Sequence, residues 1–87
     1  MSNKKLCTPI FAPGDLVKRR ACLIGALWVE EIYGDPAEIL FSVDMPRTPG
    51  IILDIEERSK WSTFIKYVVL INSNRFIVQE NYLETAE

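Results

Sequence analysis

The sequence predicts an all-β chain, and two observations carry that expectation. Residues 51–57 and 64–71 alternate between faces at the period of a strand, with β-branched and aromatic side chains concentrated there. Turn chemistry punctuates these runs at Pro13-Gly14, Gly34-Asp35-Pro36, Pro49-Gly50 and Asn72-Ser73-Asn74. Eighty-seven residues, 48% of them hydrophobic, leave room for one core and no second domain.

Taken in order, Pro13-Gly14 is a turn that feeds a first strand, Asp15 to Lys18, with Leu16 and Val17 as its apolar contacts. Residues 21–45 are ambiguous in their first half, where Leu23, Ile24, Leu27 and Trp28 fit a helical face and Leu27, Val29, Glu31 and Tyr33 fit a strand. The turn at Tyr33 to Pro36 and the alternation of Ile39, Phe41 and Val43 favour two arms of an extended hairpin. Asp35, Pro36 and Glu38 also spell a helix start, so a brief helical turn near 36–40 is expected before the second arm. Pro46 and Pro49 make the next segment a loop. In Ile51 to Glu57, Ile51, Leu53 and Ile55 form an apolar face against Ile52, Asp54 and Glu56. Phe64 to Ile71 is the most β-prone segment and is expected at the sheet centre, with Ile65, Tyr67, Val69 and Ile71 on one face. Asn72 to Arg75 is a tight connection to a strand at Phe76 to Gln79, and Glu80 to Glu84 reads as a 3-10 turn that drops Leu83 onto the core.

Gly14-Asp15-Leu16-Val17, then Gly50-Ile51-Ile52-Leu53-Asp54-Ile55, then Tyr67-Val68-Val69-Leu70-Ile71, then Ile77 to Glu84 resemble the small SH3-like barrels in kind and order. The resemblance covers residues 11–84, with Ile71 where that pattern favours Trp and Asn74 where it favours Gly. It is similar above all to the short SH3-like proteins that tailed bacteriophages encode. The resemblance implies a barrel of five to six antiparallel strands, with residues 21–45 as a long first hairpin excursion and a short 3-10 turn near the C-terminus. Residues 1–10 are then a loose arm and 85–87 a loose end.

Composition removes several chemistries. The chain has no His, which takes away the commonest general base and metal ligand, and it carries no P-loop and no dinucleotide fingerprint. Cys7 and Cys22 fit neither a redox pair nor a structural zinc site and are expected as free thiols. Asp54 and Glu56, with Asp44, form a carboxylate cluster that is better explained as a solvated strand face than as a cation site. The expectation is a non-enzyme with no cofactor, no metal and no small-molecule substrate.

Charge is segregated along the chain, although the formal net value is −2. Residues 1–20 hold five cations against Asp15, while residues 21–57 hold eight carboxylates against Arg47. Such a bipolar chain suits head-to-tail contact or docking on a mixed-charge surface. Trp28, Tyr33, Phe41, Trp61 and Phe64 are many large apolar groups for one small barrel, which marks them as protein-interface candidates. The expected function is therefore a protein-interaction or assembly module that self-associates or binds another protein, and the phage resemblance implies a virion component, capsid-associated or head-to-tail. One alternative is a KOW-like nucleic-acid-binding module using Lys18, Arg19, Arg20, Lys60, Trp61, Lys66 and Arg75, against which the pI of about 5.1 argues. A second alternative is a phage protein that modulates a host enzyme. No apolar run has the length of a signal peptide or a membrane span, so the expected setting is host cytoplasm or virion, without membrane contact.

Overall fold

The computed structural model describes residues 8–56 and 64–86. These form one antiparallel sheet of seven strands: β1 Leu16–Arg19, β2 Trp28–Tyr33, β3 Glu38–Asp44, β4 Gly50–Ile55, β5 Lys66–Ile71, β6 Asn74–Gln79 and β7 Leu83–Thr85. A 3-10 turn, Glu80–Tyr82, joins β6 to β7. The lateral order is β3-β2-β6-β5-β4-β1-β7, which makes β3 and β7 the two edges of an open sheet. All-β architecture is thus as expected, with seven strands instead of five or six. No helix among the described residues is long and apolar enough to cross a membrane.

β5 lies at the middle of this order, as its composition requires. Tyr67, Val69 and Ile71 point to one face and are almost wholly buried, joined by Phe76 and Val78 of β6. The turn between the two strands places Asn72 and Ser73 at φ 52° and 68°, the left-handed pair that a two-residue hairpin needs to match the strand twist. Leu83 is also fully buried, so the 3-10 turn acts as expected.

β4 departs from the expected parity. Ile52 faces the core, whereas Ile51 and Leu53 are each 40% exposed, the reverse of the expected apolar face. Two constraints set this phase. Gly50 packs so closely under β5 that a Cβ there would lie 2.6 Å from both the Leu70 carbonyl oxygen and Ile71 Cγ1. Two residues later the register slips, so that Ile52 opposes Val69 and Asp54 opposes Val68, leaving Leu53 as the extra residue of a bulge. An alternation read from side chains alone contains neither the glycine contact nor the bulge.

Both ends of the domain are tied more firmly than expected. The Tyr67 hydroxyl accepts hydrogen bonds from the backbone N–H of Ile10 (3.1 Å) and Phe11 (3.2 Å) and donates to Glu80 Oε2 at 2.5 Å. The Phe11 ring meets the Tyr67 ring edge-on at 5.6 Å. Ile10 is therefore not part of a loose arm; residues 1–7 lie outside the described residues. At the other end Thr85 pairs with Val17, and the Ala86 N–H donates to the Leu16 carbonyl, in place of a loose end beginning at residue 85.

Burial and the Glu80 carboxylate push the Tyr67 hydroxyl up to about 12, against the opposing effect of the two N–H donors. The neutral phenol is the form the fold favours, so its contribution is intact below the ordinary value of 10.0 and disappears as pH rises from there towards about 12. Tyr67→Phe is expected to lower stability by about 1–3 kcal/mol at neutral pH, because a buried N–H loses its acceptor. It should also remove part of the alkaline destabilisation, which urea unfolding across that range measures. Gly50→Ala is expected to cost about 1–3 kcal/mol through overpacking against backbone. Ile51→Ala, next to it but exposed, should cost less in the same assay.

Candidate functional site

Residues 20–27 contain no regular element, and a single side chain organises them. Arg19, the last residue of β1, is 5% exposed. Its Nη1 donates to Asp44 Oδ1 at 2.9 Å and to the Met45 carbonyl at 3.3 Å, while Nη2 donates to the Gly25 carbonyl. Asp44 Oδ1 also accepts the Leu27 N–H at 2.8 Å. One guanidinium therefore joins β1 to the loop before β2 and to the end of β3. The Leu27 N–H holds the Asp44 carboxyl below its ordinary 3.8, and the bond and charge of Arg19 and the charge of Arg47 add to that.

The β2–β3 hairpin leaves this anchor and extends to the edge of the sheet. Gly34–Ala37 form the turn, with Gly34 at φ 84° and a cis Asp35–Pro36 peptide, where a brief helical turn near 36–40 was expected. Strand pairing puts Val29 with Val43 and Glu31 with Phe41 on one face, and Trp28 with Asp44 and Ile32 with Ile39 on the other; Val29 and Val43 reach the core, whereas Phe41 is exposed. Leu40 is the extra residue of a bulge between those two sets. On the second face Ile32 is buried between Ile39 and Arg75, whose Nη2 donates to the Gly34 carbonyl at 2.6 Å. The hairpin is pinned at its turn as well as at its base.

Of the expected interface residues, Trp28, Tyr33 and Phe41 all lie on this hairpin and are 62%, 71% and 56% exposed. Ile39 and Leu40 are exposed beside them, and the sequence reading passed them over because alternation alone does not show that β3 is an edge. Phe64 is exposed just before β5. Trp61 lies outside the described residues.

The expected nucleic-acid set does not come together as one surface. Arg19 is buried and committed to Asp44, which corrects its assignment as a phosphate contact. Lys18 pairs with Glu84 at 3.5 Å, and Arg20 donates its backbone N–H to the Tyr82 carbonyl. Lys66 and Arg75 lie on β5 and β6, with β4 separating both from β1, and they occupy opposite ends of their strand pair, against Gln79 and Leu70. Lys60 lies outside the described residues. Three of the set do share a site: Lys18, Arg19 and Arg20, with Ala21 and with Arg47 from outside the set, line a groove of about 270 Å³. Arg47 reaches it from the β3–β4 loop, a juxtaposition that no local sequence signal announces.

Among the described residues no three His, Cys, Asp or Glu side chains group closely enough to hold a metal ion. Asp54 Oδ1 instead accepts the Ile55 N–H at 2.8 Å. Cys22 is an exposed free thiol, and Cys7 lies outside the described residues. Comparison with protein-family models, with curated proteins and with solved structures returns no match to this chain.

The lowered Asp44 value fixes the sign of an acid effect. Its contribution is fully present above 3.8 and is lost as pH falls below that, through the depressed folded value. Asp44→Asn is expected to flatten stability against pH in that acid window. Parallel urea titrations of the two proteins from neutral pH downward measure it.

Proposed function

We propose that the protein is a non-catalytic interaction and assembly module whose contact surface is the β2–β3 hairpin. One observation carries this reading: among the described residues β3 is a sheet edge with no outer neighbour, and it exposes Ile39, Leu40 and Phe41 in succession, with Trp28 and Tyr33 exposed on β2. Large apolar groups beside free backbone donors and acceptors are the ingredients of strand addition, in which main-chain bonds give affinity and side chains give selectivity. Aromatic anchors of this kind dominate binding energy when a partner removes them from water. The double attachment of the hairpin, by Arg19 at its base and Arg75 at its turn, lowers the ordering cost on binding.

The finer reading is a small SH3-like protein of the kind tailed phages encode, acting as a virion component. It is supported by the placement of the quoted segments on β1, β4, β5 and β6–β7, by the hairpin between β1 and β4, and by the 3-10 turn before the last strand. A second copy is the first partner to test, since Glu30, Glu31, Asp35 and Glu38 lie on the hairpin and its turn while Lys18, Arg20 and Arg47 gather at the groove.

Size-exclusion chromatography with light scattering should show a defined oligomer that weakens at least tenfold on Phe41→Lys or Leu40→Lys. Both positions are exposed, so circular dichroism should remain that of the parent. A wild-type protein that stays monomeric at high concentration would count against self-assembly.

A further inference from the structure

The groove at the end of β1 is a second feature of the molecule, one that the hairpin reading uses only as a charge complement. We infer that it is a binding site for a dianionic phosphoryl group, such as a phosphate monoester, held by Lys18, Arg20 and Arg47 beside the buried charge of Arg19.

The argument begins with alternation. In the run Lys18-Arg19-Arg20 the middle side chain turns to the interior, and its neighbours remain partly exposed on the other side. Arg47 then arrives from the β3–β4 loop to line the same groove. Two carboxylates are bonded to this group, Glu84 to Lys18 and Asp44 to Arg19. Arg20 and Arg47 have no ion pair among the described residues. Four cations against two carboxylates leave two positive charges, the complement of a phosphate monoester above its second ionisation near pH 6.

Arg19 itself carries an unmet donor. Arg19 Nε is buried and has no hydrogen-bond acceptor among the described residues. A buried guanidinium that shares one carboxylate oxygen with a backbone N–H is incompletely compensated. Negative charge placed beside it offsets that deficit, while the direct contacts fall to the accessible Lys18, Arg20 and Arg47. Planar guanidinium forks match the oxygens of a phosphoryl group, and a tetrahedral dianion offers one more acceptor oxygen than a carboxylate.

Size and lining select the ligand class further. A volume of about 270 Å³ lies below the usual range for drug-sized ligands and suits a single head group. Among the described residues no aromatic side chain lines it, so these residues offer no platform on which bases of a single strand stack. The site is therefore matched to an isolated phosphoryl group and not to a nucleic-acid track.

The test is a two-dimensional NMR titration with inorganic phosphate and with phenyl phosphate, following the backbone amides of residues 18–21 and 47 and the Arg19 Nε–H. Saturable shifts at these positions are expected, and for phenyl phosphate the affinity rises as pH passes about 6 and its dianion forms. Arg47→Gln and Arg20→Gln should each weaken binding by about tenfold, while Lys66→Gln on β5 leaves it unchanged. Circular dichroism confirms that each variant keeps its fold. A short single-stranded oligonucleotide with a 5′-hydroxyl, which presents phosphodiesters alone, is expected to bind these residues far more weakly. Equal binding of that strand, absence of groove shifts with phosphate, or indifference to both arginine variants would each overturn the inference.

Discussion

The contact on which the rest of the molecule depends is the buried fork of Arg19 on Asp44. Apart from it, residues 20–26 are tied at a distance by the Arg20 N–H to the Tyr82 carbonyl and the Ala21 N–H to Glu84 Oε1, while Leu23 N–H bonds only locally to the Arg20 carbonyl. With it, the carboxylate collects the Leu27 N–H, and Met45 N–H bonds to the Leu27 carbonyl at 2.7 Å. The loop, the start of β2 and the end of β3 thus close into one ring around a single guanidinium. Arginine suits this role because its fork reaches three acceptors at once and its charge cannot be titrated away. Both surfaces of interest meet that ring: the hairpin is anchored in it at Asp44, and Arg19 also lines the basic groove.

The core is built on a different principle, close approach of backbone. β1 crosses β4 at Gly50, where Val17 pairs with a residue that has no side chain, and the strand lies directly under Val69 and Ile71. The price of that proximity is paid in register, through the bulge at Leu53, which turns Leu53 outward and leaves Ile52 inside. Tyr67 then fastens the incoming chain at Ile10 and Phe11 and the 3-10 turn at Glu80 through one hydroxyl. A domain of this size has little apolar surface to spare, and these polar clasps hold its ends where hydrophobic burial alone would be thin.

Legibility in the sequence tracks how local each determinant is. Strand character at β5 and β6, the left-handed turn at Asn72-Ser73 and the burial of Leu83 all follow from residues within a few positions of each other. The facing of β4 does not, because it depends on a glycine packed under another strand and on a bulge. Arg19 looked like part of a basic surface run, and only tertiary contact with Asp44, twenty-five residues away, reveals it as an interior anchor. Arg47 is the converse, an isolated loop cation that the return of the chain brings beside β1. Trp28, Tyr33 and Phe41 were legible as a surplus of apolar groups, whereas Ile39 and Leu40 became visible only once β3 was seen to have a neighbour on one side alone.

A seven-residue strand with four apolar side chains at the rim of a sheet is the shape that seeds fibres. Here the rim is interrupted at Leu40, where the extra residue kinks the strand and breaks its ladder of free donors and acceptors into two short stretches. Glu38 and Asp44 stand at its two ends, so any strand laid along it with like charge at either limit is repelled. The irregularity therefore works as a brake on runaway polymerisation: it admits an incoming strand over a short span and denies the continuous, in-register stacking from which amyloid grows.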